Sequence, residues 1–77
     1  MSYGYSARLI RANQDASKSL LGVRLGKMCI REEIPVVLIA QDLGVSRQTI
    51  YNWFSGTSSP MGATAIRVEA FIKKHFL

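Results

Sequence analysis

Hydrophobic side chains recur at helical spacing along most of the chain, and the polar positions between them fall on separate helix faces. No alternating pattern of the kind that marks a strand lasts long enough to compete. The sequence therefore predicts an all-α fold. The predicted helices cover residues 17–33, residues 35–43, residues 47–54 and a last segment from about Ala63.

Three residues mark the boundaries between the predicted helices in the middle of the chain. Pro35 keeps the preceding residue out of the helical region and suits the first position of a new helix. Gly44 stands where a helix commonly ends in a left-handed residue, and Ser46 is a good N-cap for the helix that follows. A helix, a tight turn and a second helix are thus expected over residues 36–54.

The N-terminal segment gives a weaker signal. Residues 1–16 are interpreted as a basic arm or a short helix, with residues 7–12 as the helical candidate. The main domain is expected to span residues 17–77. This organisation gives four or five helices in one small unit.

The net charge of +5 is concentrated in one half of the chain. Residues 1–31 carry six basic residues against Asp15 alone, whereas the charges of residues 32–77 sum to zero. Such an asymmetry favours a polyanionic partner.

Composition argues against several classes of protein. One cysteine and one histidine leave no basis for a structural metal site. No apolar run reaches the roughly 18 residues that span a bilayer, and no secretory signal pattern is visible. Phosphate-binding loops, nucleophile elbows and paired zinc ligands are also missing from the sequence, so no enzyme, cofactor or small-molecule ligand is expected. A location in the cytoplasm fits this picture.

The third predicted helix has a distinctive polar face. At 100° per residue, four side chains share its outward arc, while Ile50 and Trp53 point to the core. Arginine pairs well with guanine, and the amides of glutamine and asparagine pair well with adenine. The candidate base-contacting residues are Arg47, Gln48, Tyr51 and Asn52.

The stretch IAQDLGVSRQTIYNWFSG resembles the helix-turn-helix of the Cro/cI-type (XRE-like) repressors of phages and bacteria. The small Ala40, the turn glycine and the buried Ile50 fall where that motif requires them. The resemblance covers roughly residues 20–75. It implies a lambda-repressor-like domain of four or five helices that binds an operator in double-stranded DNA. It also implies a location in the cytoplasm of a bacterial host, on the nucleoid. One departure is Val36, since these repressors often place a phosphate-contacting glutamine there.

Further residues are candidates for the DNA backbone. Their hydroxyl and cationic groups suit phosphate contacts, either beside the third helix or along the basic N-terminal half. These candidates are Ser46, Thr49, Arg24, Lys27, Arg31, Arg8 and Arg11.

The C-terminal helix is expected to form a homodimer. Phe71, Phe76 and Leu77 crowd the chain end, where so small a domain has little core left to receive them. Two alternatives to a Cro-like repressor stay open. One is a protein-interaction module, such as an antitoxin or an inhibitor of a host factor, and the other is an accessory protein of DNA packaging or excision.

Overall fold

The computed structural model describes residues 5–76. Within that range the chain forms five helices and no strand, which confirms the predicted all-α class. The helices are α1 (Ala7–Asp15), α2 (Leu21–Arg31), α3 (Val36–Leu43), α4 (Arg47–Phe54) and α5 (Gly62–Phe76).

The helix α2 is the centre of the domain and packs on α1, α4 and α5. Its closest approach is to α4, because the two glycines that face α4 have no side chain. A Cβ atom on Gly22 would lie 2.7 Å from the Cβ of Trp53, and one on Gly26 would lie 2.8 Å from the Cγ of Phe54. Only glycine permits helices to pack this closely at these two positions.

The first helix is longer than the predicted segment of residues 7–12. The hydroxyl of Ser6 caps it by accepting the N–H of Leu9 at 3.1 Å, and the helix continues to Asp15. It packs on both α2 and α4, and Tyr5 and Asn13 are buried. Residues 5–15 thus share the core of the rest of the domain.

Two predicted boundaries were wrong by a few residues. The helix α2 begins at Leu21 because Ser17 starts a turn, in which its carbonyl accepts the N–H of Leu20 and its hydroxyl accepts the N–H of Ser19. Pro35 caps α3 from an extended conformation instead of occupying its first turn. Its carbonyl accepts the N–H of Leu38 at 3.1 Å and that of Ile39 at 3.4 Å, and the second is the first α-helical bond.

The last helix covers the core from the other side, against α2 and α3. Val68, Phe71 and Ile72 are its buried residues. The expectation that the core has no room for Phe71 was therefore wrong. Phe76 is half-buried against the same core. Leu77 lies outside the described residues.

Candidate nucleic-acid interface

The turn between α3 and α4 is fixed by backbone geometry. Gly44 adopts a left-handed conformation with φ of 69°, and the N–H of Val45 reaches back to the carbonyl of Ala40 at 3.0 Å. This is the pairing of a Schellman motif, which satisfies carbonyls that the helix end would leave open. The half-buried Val45 packs on the core beneath the turn. The predicted roles of Gly44 and Val45 are confirmed.

A residue that the sequence analysis missed supports the same turn. The guanidinium of Arg67, on α5, donates to the carbonyl of Leu43, the last residue of α3. That carbonyl has no partner within its own helix. The bond joins residues 24 positions apart, and no local sequence signal marks Arg67 for this role.

The start of α4 is capped as predicted. The hydroxyl of Ser46 accepts the N–H of Thr49 at 3.1 Å, and the two side-chain hydroxyls lie 2.9 Å apart. The structure therefore places Ser46 and Thr49 together at the N-terminal end of α4. A helix N-terminus also carries the positive end of the helix dipole, which favours an anion nearby.

The four candidate base-contacting residues lie on α4 with different exposure. Arg47 and Gln48 are exposed, whereas Tyr51 and Asn52 are partly buried. The side-chain amide of Gln48 donates to Oδ1 of Asn52 at 3.1 Å, one helical turn away. Tyr51 packs against the core cluster, so its ring is less free than its position on the helix suggested.

The opposite face of α4 anchors the helix. Ile50 and Phe54 are completely buried, and Trp53 is 4% exposed. Trp53 packs against α2 beside Gly22, which confirms its predicted place in the core. Two polar side chains at the start of α4 thus project from a helix whose other face is immobilised by packing.

The structure does not gather the candidate cations of α2 around α4. Arg24 and Arg31 lie about 140° to 180° around α2 from the glycines that face α4. Arg24 instead lines a groove with α5, and Arg31 pairs with Glu32 at 3.2 Å. Lys27 donates to the backbone carbonyl of Asn13 at 3.2 Å.

The candidate cations of α1 project into solvent. Arg8 and Arg11 are both exposed. They lie about 140° to 160° from Asn13 around the helix, away from the core.

The buried titratable groups are kept neutral by their surroundings. Burial raises the pKa of the Cys29 thiol to about 12. Burial also raises the pKa of Tyr5, with smaller contributions from the neighbouring Cys29 and Tyr51. The hydroxyl of Tyr5 donates to the carbonyl of Ile34 at 2.6 Å. Neither group has the exposed, electropositive setting of a reactive side chain.

Other kinds of site have no support in residues 5–76. No cluster of three potential metal ligands occurs there. None of the helices in this range combines the length and apolar character that a membrane span requires.

Among the comparisons with known proteins, a family model identifies the domain. No curated protein and no solved structure matches the chain significantly. The family model described as helix-turn-helix matches residues 37–77, which is more than half of the chain and includes nearly all of α3 and all of α4. The protein therefore belongs to the helix-turn-helix family of the Cro/cI (XRE-like) type.

Proposed function

We propose that the protein is a transcriptional regulator that binds a specific operator in duplex DNA through the outward face of α4. The observation that carries this proposal is the contrast between the two faces of α4. Its inner face is buried, while Arg47 and Gln48 stand exposed at its capped N-terminal end. In helix-turn-helix proteins the N-terminal residues of this helix contact base edges in the major groove.

The bond between Gln48 and Asn52 supports a role in reading adenine. The amide nitrogen of Gln48 uses one N–H for Asn52 and retains a second. That second N–H and the Gln48 carbonyl oxygen match the acceptor N7 and the donor N6 of adenine. Asn52 thus orients the amide of Gln48 before DNA arrives, which lowers the entropy lost on binding.

Contacts to the DNA backbone are proposed around the same end of α4. The hydroxyls of Ser46 and Thr49 are exposed or partly exposed there and suit phosphate oxygens. Arg47 supplies a positive charge beside them, for either a phosphate or a guanine. Tyr51 is proposed to contact DNA at the edge of the surface that reads the bases.

The cations outside α4 are proposed as weaker backbone contacts. Arg24 and Arg31 lie on the side of α2 that faces away from α4, so their effect on DNA affinity is expected to be smaller than that of Arg47. Arg8 and Arg11 are exposed on α1, and Lys27 already has a partner in Asn13.

A homodimer through α5 completes the proposal. Met61, just before α5, is 77% exposed, and Ile66, on the outward face of α5, is 70% exposed. Exposed apolar side chains of this size commonly mark an interface. A second copy placed there doubles the base contacts, at half-sites about 34 Å apart on the duplex. The protein then acts in the cytoplasm by occupying an operator that overlaps a promoter.

Salt dependence of binding tests the proposal. The affinity for duplex DNA is expected to fall steeply with salt, and Arg47→Ala is expected to reduce the log–log slope by about one unit. Arg31→Ala is the matched control, and it is expected to reduce this slope by less than Arg47→Ala does. An affinity independent of salt would overturn the proposal.

A further inference from the structure

One polar side chain joins the N-terminal helix to the proposed DNA-reading helix. Asn13 is the buried polar residue of the described part of the chain, with 2% of its surface exposed. Its amide nitrogen donates to the carbonyl of Phe54 at 2.8 Å and to the carbonyl of Val23 at 3.2 Å. Asn13 thus connects α1 to the end of α4 and to the first turn of α2.

The carbonyl of Phe54 depends on this bond. A helix leaves its last four carbonyls without partners inside the helix. In α4, the loop that follows supplies N–H donors to three of them, those of Tyr51, Asn52 and Trp53. The fourth belongs to Phe54 and is satisfied by Asn13.

The helix α2 leaves space for the contact between Asn13 and Phe54. A Cβ atom on Gly26 would lie 2.5 Å from the amide nitrogen of Asn13 and 2.8 Å from the ring of Phe54. The glycine therefore admits the Asn13 amide and the Phe54 side chain to the same place on α2. The ammonium group of Lys27, the next residue, donates to the backbone carbonyl of Asn13 at 3.2 Å.

Tyr5, just before α1, makes contacts at the start of the helix-turn-helix as well as at its end. Tyr5 donates to the carbonyl of Ile34, two residues before α3, and its ring stacks on Phe54 with centroids 6.0 Å apart. Residues 5–15 therefore hold both the entry to α3 and the exit from α4. Residues 5–15 lie outside the segment that the family model matches.

We propose that Asn13 is a positioning residue for DNA readout, whose amide fixes the orientation of α4 against α1 and α2. This inference rests on the proposed function. Base readout requires side chains to be held to within about 0.5 Å, whereas attraction between cations and phosphates tolerates small rotations of the helix. Loss of the Asn13 amide therefore lowers specific binding and leaves non-specific binding nearly unchanged.

The experiment compares Asn13→Ala with two controls. Gln14→Ala removes an exposed amide from the same helix. Val68→Ala removes buried methyl groups from α5, which packs on α2 and α3, and so lowers stability away from α4. Affinities for a selected operator and for an unrelated duplex are measured at a temperature where circular dichroism shows each variant to be folded.

For Asn13→Ala we expect the ratio of specific to non-specific affinity to fall about tenfold, with an unchanged salt slope. Both controls should keep the ratio within about twofold of the unaltered protein. Amide hydrogen exchange should also accelerate in α4 more than in α5. If Asn13→Ala does not fold, Asn13→Ser is used instead; its hydroxyl has one donor and can serve at most one of the two carbonyls, so the ratio should fall about threefold.

Three negative outcomes are distinguishable. If the unaltered protein binds its operator specifically and the variant that folds keeps the same ratio, the positioning role is overturned and the proposed function stands. If the ratio falls equally for Val68→Ala, the effect is general instability and the positioning role is again overturned. If the unaltered protein prefers no duplex over any other, the proposed function fails, and this role fails with it.

Discussion

Replacement of Gly22 by alanine tests the close packing that holds α4 in place. The new Cβ atom would lie 2.7 Å from Cβ, 2.9 Å from the carbonyl oxygen and 3.0 Å from Cα of Trp53. Carbon atoms in contact normally stay about 3.5 to 4.0 Å apart, so α4 has to retreat by about 1 Å. Two of the three neighbours are backbone atoms, and no change of rotamer moves them.

The size of the effect follows from two opposing contributions. Overpacking of a core costs about 1 to 3 kcal/mol, and the rigid backbone neighbours place this case near the upper end. Alanine gains about 1 kcal/mol over glycine in helix propensity. The net loss is then about 2 kcal/mol, out of the roughly 4 to 12 kcal/mol expected for a domain of this length. The melting temperature should fall by about 8 to 16 °C.

Urea denaturation followed by circular dichroism measures this loss. Arg24→Ala, at an exposed position of the same helix, is the control and should change stability by less than about 0.5 kcal/mol. A Gly22→Ala variant as stable as the unaltered protein, or more stable, would refute the reasoning. It would mean that helix propensity outweighs the contact between α2 and α4.

Three further predictions concern strain, titration and assembly. Glu33 has a left-handed backbone with φ of 55°, so Glu33→Gly should stabilise the domain by about 0.5 to 1 kcal/mol in urea denaturation, and a loss of stability would contradict this. Because folding raises the pKa of Cys29 to about 12, and that of Tyr5 as well, the folded state keeps protons that the unfolded state releases. Stability should therefore decline as the pH rises above about 9, and a thiol reagent at pH 8 should modify Cys29 no faster than the protein unfolds. In sedimentation experiments Ile66→Glu should convert the proposed dimer to a monomer. The control Leu38→Glu, at an exposed apolar position on α3, should leave the protein a dimer. A monomeric unaltered protein at tens of micromolar would contradict the proposed assembly.

The helix-turn-helix was predictable because its signals are local. Gly44 and Ser46 specify the turn and the cap through their own backbone and side-chain preferences, and α4 has the predicted bounds of Arg47–Phe54. The small Ala40 and the buried Ile50 follow from helical spacing alone. These features depend on residues only a few positions apart.

The interactions that support the site were not predictable in the same way. The bond from Asn13 to Phe54 joins residues 41 positions apart, and its donor is a poor helix former that reads as an ordinary polar position. Its place one turn after Leu9 and Ile10 on the inner face of α1 was the one available signal. The candidate cations of α2 are a second case, because nothing in their positions along the chain indicates which neighbour each one contacts.

Selection of duplexes from a random pool tests the central claim most directly. The unaltered protein is expected to enrich a two-fold symmetric motif, with half-sites about one helical turn apart. Gln48→Ala should reduce affinity for that motif by about 1 to 3 kcal/mol and relax the preference at one adenine position, with non-specific binding preserved. Gln14→Ala, which removes the same side chain from an exposed position of α1, should select the unaltered motif. Failure of the unaltered protein to enrich any sequence, or an equal loss of specific and non-specific affinity in Gln48→Ala, would contradict the account.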